Sequence, residues 1–132
     1  MSDLEGRCAC NAVTWAAPGP VLWAGHCHCE SCRRASSAPM TSFFGVARDS
    51  VAWSGEVTIH RSSDTVERGH CKACGTQVFY RSSRWPKETH LYAATLIDPE
   101  QFRPEAHYHW AERLTWLRID DDLPKYPGSA EE

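Results

Sequence analysis

No stretch of this chain approaches the roughly 18 consecutive apolar residues that a membrane span needs, and the opening MSDLEGRCAC has no basic region leading into an apolar one. A soluble, cytoplasmic protein with no membrane partner is therefore expected. A basic stripe is missing as well. Fourteen Lys plus Arg stand against 17 Asp plus Glu, for a formal charge of −3, and the adjacent basic pair near the cysteines is Arg33 and Arg34. A binder of phosphate backbones needs such a stripe, so no nucleic-acid partner is expected. Sustained helical periodicity, internal repeats and low-complexity linkers are absent too. Without long amphipathic helices an α/β fold has nothing to cover its sheet.

What the chain does have is short. Apolar and β-branched stretches at NAVTW, PVLWAG, MTSFFGV, EVTIHR, TQVFYR and HLYAATLI are separated by PGP, SG, CG and DP, which read as strands and turns. The helical candidates are ESCRRASS and a PEQF turn capped by Asp98. A chain of 132 residues is sized for a single domain, 1–132, with a mainly β core that two sheets could share. The end from about residue 125, finishing in GSAEE, reads as a frayed tail. Six tryptophans imply aromatic packing in the core. Trp15, Trp23 and Trp53 are expected there, and Trp110 and Trp116 either there or on the wall of a pocket.

Seven cysteines, an odd number in a chain expected to be cytoplasmic, fit a disulfide framework poorly. Their grouping points to metal: a pair at Cys8 and Cys10, a triplet at Cys27, Cys29 and Cys32, and a pair at Cys71 and Cys74. In an extended chain residues i and i+2 share a side, so Cys8 with Cys10, and Cys27 with Cys29, can each reach one ion while His26 and His28 point away. CKACG has the two-residue spacer of a zinc knuckle, with Gly75 where positive φ is often needed. Joined to Cys8 and Cys10 it gives four thiolates, a closed structural site. Closing the intervening loop costs about 3.6 kcal/mol, against roughly 10 to 16 kcal/mol supplied by structural zinc. A four-thiolate and a three-thiolate zinc together would bring the net charge to about −6.

Cys27, Cys29 and Cys32 then remain. Three protein ligands leave one coordination position open, which distinguishes a catalytic zinc from a structural one. Two alternatives stay open: a water, histidine or carboxylate fills that position permanently, or the pairs are exchanged and the triplet takes one distant cysteine. An exchangeable position beside three thiolates suits a soft exogenous thiol, held as thiolate. Arg33 and Arg34 follow directly and could pair with a substrate carboxylate; the alternative is a solvated surface or pairing with Glu30. No general acid stands out, and Ser36, Thr95 and His28 are the candidates.

GRCAC, HCHCESCRRASSAP, HCKACGTQVFYR and HYHWAERLTWLRIDDDLPKYPG, in that order over nearly the whole chain, resemble the glutathione-dependent formaldehyde-activating enzyme family, which also includes centromere protein V. The resemblance implies an Mss4-like, mainly β fold of small antiparallel sheets with zinc knuckles and few short helices. It implies two zinc ions: a structural one, here on Cys8, Cys10, Cys71 and Cys74, and a catalytic one, here on Cys27, Cys29 and Cys32. Glutathione and formaldehyde are the implied substrates, joined as S-(hydroxymethyl)glutathione in what is formally a carbon-sulfur lyase reaction reversed. Arg33 and Arg34 are the candidates for the glutathione carboxylates. Many members have glycine after the first Cys-x-Cys; here Asn11 stands there, a residue that tolerates left-handed backbone. The family is broad, so three alternatives accompany this reading: a thiol binder without turnover, a zinc-stabilised protein-interaction module, and an enzyme for another thiol adduct.

Overall fold

Short β-branched and aromatic runs between turn residues form strands here. The computed structural model, which describes residues 3–129, is mainly β, with one α-helix and several 3-10 turns among those residues. The chain falls into two units, Met1–Trp23 with Phe44–Phe102, and Ala24–Phe43 with Arg103–Glu132.

In the first unit β1 (Leu4–Arg7), β2 (Thr14–Ala17) and β5 (Ala52–Ser54) make an antiparallel sheet in the order β1-β2-β5. An antiparallel meander follows, formed by β6 (Val57–Arg61), β7 (Val66–Cys71), β8 (Gln77–Ser82) and β9 (Glu88–Tyr92). Trp15 lies at the centre of this core, 2% exposed, with its ring 6.0 Å from that of Phe44 and its Nε1 donating to Thr95 Oγ1 at 3.0 Å. Gly6 sits opposite Trp15 in the β1–β2 register, and a Cβ there would overlap the indole. Trp23 and Trp53 are half-buried: Trp23 donates to Glu88 Oε1 at 2.8 Å, and Trp53 packs on Phe79 at 5.4 Å.

HLYAATLI does not continue as one strand. β9 ends at Tyr92 and Ala93–Thr95 turns into a 3-10 helix, because the Thr95 hydroxyl donates to Tyr92 O at 2.8 Å and competes locally with the ladder. The Asp98 cap is as expected: its Oδ1 accepts from the Glu100 amide at 3.0 Å, opening the 3-10 turn Pro99–Gln101.

Strand β3 (Trp23–Cys27) takes the chain into the second unit and leads to helix α1 (Glu30–Ser36), after which β4 (Thr41–Ala47) returns it to the first at Phe44. Strand β10 (His107–Tyr108) pairs with β3 in parallel, placing His107 opposite His26 and Tyr108 opposite Cys27. Parallel partners need a long crossover, which the chain between these strands supplies, so this pairing departs from the antiparallel expectation. Of the stretch from about residue 125 that reads as a loose end, the described part is tied down. His107 N donates to Pro124 O, Tyr126 N to His107 O, Trp110 N to Tyr126 O and His109 N to Gly128 O, at 2.8–2.9 Å. The last three residues of GSAEE lie outside the described residues. Trp110 is half-buried, whereas Trp116 is 69% exposed and lies outside the core. No helix among the described residues is long and apolar enough to cross a membrane.

Gly6→Ala is expected to destabilise the folded chain by about 1–3 kcal/mol, the usual cost of overpacking. A urea titration followed by tryptophan fluorescence should show a lower midpoint with an unchanged slope.

Candidate metal centres

The seven thiols sort into two groups, Cys8 with Cys10, Cys71 and Cys74 in the first unit, and Cys27 with Cys29 and Cys32 in the second; within each group the sulfurs lie within 4.8 Å of one another. The exchange of pairs left open by spacing does not occur. Among the described residues no histidine or carboxylate joins either group.

Two knuckles build the first group. The amide of Cys8 donates to Val13 O and that of Cys71 to Thr76 O, both at 2.9 Å, closing two loops of equal length. The residue after the second cysteine of each pair is left-handed, Asn11 at φ 68 and Gly75 at φ 82, so asparagine does serve where glycine is common. Cys8 and Cys10 are not extended as the alternation argument supposed. β1 ends at Arg7 and the chain turns through residues 9–12, so a turn rather than a strand face brings the two sulfurs together. Amides point at sulfur in both loops, from Val13 to Cys8 at 3.2 Å and from Cys74 to Cys71 at 3.4 Å.

A tetrahedral centre with metal–sulfur bonds of about 2.3 Å has sulfurs about 3.8 Å apart. Here Cys8 and Cys10 are 3.7 Å apart, and Cys10 and Cys71 3.8 Å. Proton affinities agree with this fit. Hydrogen bonds from the Thr76 hydroxyl and from the amides of Thr76 and Cys10 hold the Cys74 thiol down to about 5. Cys10 goes the other way: an amide at Ala12 lowers it, but desolvation and the thiols of Cys74, Cys8 and Cys71 push it up to about 11. Thiols this crowded cannot all ionise alone; a soft cation among them removes the obstacle.

The second group is set by the start of α1. Cys29 is its N-cap, extended at φ −67 and ψ 146, and its sulfur accepts from the Cys32 amide at 3.2 Å. Cys27 closes β3, and Cys32 lies buried on the first turn of the helix. Hydrogen bonds shared with Cys29 and Cys32, followed by burial, raise Cys27 well above the ordinary thiol range. For Cys29 the contact with Cys27 lowers the affinity, yet Cys32 and burial leave it raised. Cys27 and Cys29 thus hold their protons more tightly than free thiols do, and a cation among them would favour their release.

The candidates around the triplet fall into distinct places. Arg33 is half-buried and donates from Nε to His28 O at 3.3 Å and from Nη2 to Glu112 O at 3.2 Å. Arg34 is exposed and paired with Glu30 at 2.8 Å. Ser36 Oγ donates to Cys32 O at 2.8 Å. Thr95 belongs to the first unit, where its hydroxyl is used by Trp15 and Tyr92.

His28 is the candidate with the most elaborate surroundings. It is fully buried, with Nε2 2.8 Å from His107 Nδ1, while His107 Nε2 is 2.9 Å from Asp121 Oδ2. Trp110 stands edge-on to His28 at 4.9 Å, and His26 lies over His107 at 5.0 Å. Burial, then the nearby imidazoles of His107 and His26 and the guanidinium groups of Arg113 and Arg33, brings His28 down to about 4, so its ring is neutral at pH 7. The hydrogen bond from His107 outweighs desolvation at Asp121 and keeps its carboxyl below the usual range. Sequence reasoning missed this chain of side chains. Its signals were HYH at 107–109 and DDD at 120–122, which spacing alone does not connect to residue 28.

Comparison with known proteins places these centres in a family. Residues 3–112 match the family described as glutathione-dependent formaldehyde-activating enzyme. An uncharacterized lyase of Schizosaccharomyces pombe is 35% identical over 80 residues, 61% of this chain and 58% of that protein, so the match spans little more than half of that relative. A Halomonas elongata protein provisionally named as a glutathione-dependent formaldehyde-activating enzyme is 28% identical over 128 residues, 89% of this chain and 81% of its own. The solved structure of a Rhodobacter sphaeroides protein shares the fold, with a TM-score of 0.59 at 18% identity, covering 92% of this chain and 98% of that one. With a family match running from the first knuckle through the thiol triplet and the second knuckle to residue 112, the chain belongs to the glutathione-dependent formaldehyde-activating enzyme family.

Proposed function

We propose that this chain is a zinc-dependent, carbon-sulfur lyase-type enzyme that adds glutathione, or a related thiol, to formaldehyde to give S-(hydroxymethyl)glutathione. The observation that carries the reading is the triplet of Cys27, Cys29 and Cys32, which no fourth protein donor joins among the described residues. On this reading Cys8, Cys10, Cys71 and Cys74 hold a structural zinc and the triplet a second, catalytic one. Bound at the triplet, zinc supplies a soft Lewis acid with a position for an exogenous sulfur, favouring thiolate at neutral pH.

The chain supplies placement. The α1 cap fixes Cys29 and Cys32 relative to each other, and Arg33, anchored on two carbonyls, keeps its charge beside the triplet for a glutathione carboxylate. Arg34 would have to exchange Glu30 for a second carboxylate at the surface, a weaker contribution. In the overall addition a sulfur–carbon bond forms, the carbonyl π bond opens, and the thiol proton ends on oxygen. No electron is gained or lost, so proximity of the two reactants is the main catalytic term. A reducing, cytoplasmic setting suits seven free cysteines.

Cys29→Ser tests the reading cleanly, because serine is itself a strong N-cap and leaves α1 capped while removing a soft ligand. In NMR exchange spectroscopy of glutathione with formaldehyde, the wild type should accelerate exchange over the uncatalysed reaction and the variant should not. Saturable glutathione binding without acceleration would instead make the protein a thiol binder. Acceleration with a different thiol would make it an enzyme for another adduct, and an inaccessible second zinc with a stable protein partner an interaction module.

The two centres should also differ in retention. In a timed chelation series the triplet is expected to lose its metal first with the far-ultraviolet circular dichroism unchanged. Loss from the four-thiolate group should then unfold the chain, since structural zinc is worth roughly 10 to 16 kcal/mol.

A further inference from the structure

Glu112 ends the 3-10 turn Trp110–Glu112 and touches the first turn of α1 twice, although 82 positions separate it from Glu30. Its Oε1 accepts from the Glu30 amide at 3.0 Å, and its main-chain carbonyl accepts from Arg33 Nη2 at 3.2 Å. The Glu30 amide belongs to the peptide bond that leaves Cys29, the N-cap thiol of the triplet. At the other end of that peptide, Cys29 O accepts from the Arg33 amide at 3.0 Å. One peptide plane is therefore held from both sides, by the helix through its oxygen and by Glu112 through its N–H. The first amides of a helix have no partner within it, and α1 finds side-chain acceptors for two of them: the Cys29 sulfur for Cys32, and the Glu112 carboxylate for Glu30. Glu112 is well anchored for this. Its amide donates to His109 O at 3.0 Å, its Oε2 lies 3.3 Å from His109 Nδ1, and the same turn is tied through Trp110 N to Tyr126 O and through His109 N to Gly128 O.

We infer that Glu112 is a positioning residue for the triplet: it clamps the Cys29–Glu30 peptide and the Arg33 side chain to one point, so the places of the Cys29 sulfur and of the guanidinium are set together. The clamp needs an acceptor and not a charge, since a backbone amide donates to a carboxylate and to a side-chain amide oxygen alike. All of these groups lie in the second unit, and the four-thiolate group in the first shares no residue with them. That group is thus an internal control. Support of a metal centre rests on the proposed function, which puts zinc at the triplet, whereas the hold on the peptide does not.

Cadmium, as soft as the thiolates require, can replace zinc in the full chain and give each centre its own cadmium NMR resonance. A chelator should then remove the two signals at separate rates. Glu112→Ala is expected to lose the triplet signal about fivefold faster than wild type, the size of one net hydrogen bond, with the four-thiolate rate unchanged. Glu112→Gln should restore the wild-type rate. Hydrogen exchange at the Glu30 amide should follow the same order, protected in wild type and Glu112→Gln and fast in Glu112→Ala. A wild-type triplet rate in Glu112→Ala would overturn the support of the centre, and so would equal acceleration at both centres, which marks general loosening. Glu112→Gln behaving as Glu112→Ala, or a Glu30 amide equally protected in all three proteins, would overturn the clamp itself. Failure of the wild type to turn over thiols would end the enzyme reading without moving these rates, and a triplet that takes up no cadmium would end that reading and the support role together.

Discussion

Thiols packed within 4.8 Å of one another cannot all carry their charge without a cation between them, and the rest of this structure is arranged around that constraint. In the first unit the constraint joins distant parts of the chain, since Cys10 and Cys71 are 61 positions apart. Both loops that carry those thiols close at the same length, turn through a left-handed residue and direct an amide at sulfur. Their likeness arises despite different cysteine spacings, because the geometry demanded by a tetrahedron is the same on both sides. The sheets supply the stiffness: β1 leads into one loop, and β7 and β8 flank the other.

The second unit meets the same constraint with fewer groups. Three thiols come from one turn at the start of α1, and helix capping rather than sheet register fixes them. The same unit carries a buried polar pair, His28 and His107, with Trp110 edge-on to both rings. The parallel pairing of β10 with β3 carries that arrangement, since it brings His107 level with His26 and holds the segment from Pro124 to Gly128 against it. Asp121, positioned by this segment, then reaches His107 from a part of the chain that looks, in sequence, like an acidic approach to a loose end.

Cysteine grouping was the most legible feature, because metal ligation leaves a spacing signature that needs no tertiary information. The mainly β class was legible too, as was α1, whose ESCRRASS segment matches the observed Glu30–Ser36 closely. What escaped was set by long-range contacts. β1 and β7 are polar enough to miss the strand pattern and exist because their neighbours pair with them. AATLI has strand-like residues but yields to a local hydroxyl–carbonyl bond at Thr95. Trp116 has the composition of a core residue and faces water. The chain from Asp121 to His28 was hidden for the plainest reason: His28 and His107 are 79 positions apart, and neither residue type announces its partner.

The difference in sequence separation between the two thiol groups bears on how the protein acquires its metals during synthesis. The triplet is complete once Cys32 has been made, and its short loops close at small entropic cost. The four-thiolate group waits for Cys74, and the histidine chain for Asp121. A nascent chain can therefore capture an ion at the triplet before any sheet of the first unit is complete, and before His28 has met its partner. The centre that holds its metal with fewer ligands is thus the first offered one, which makes the emerging α1 turn, rather than the finished fold, the point at which metal supply meets this protein.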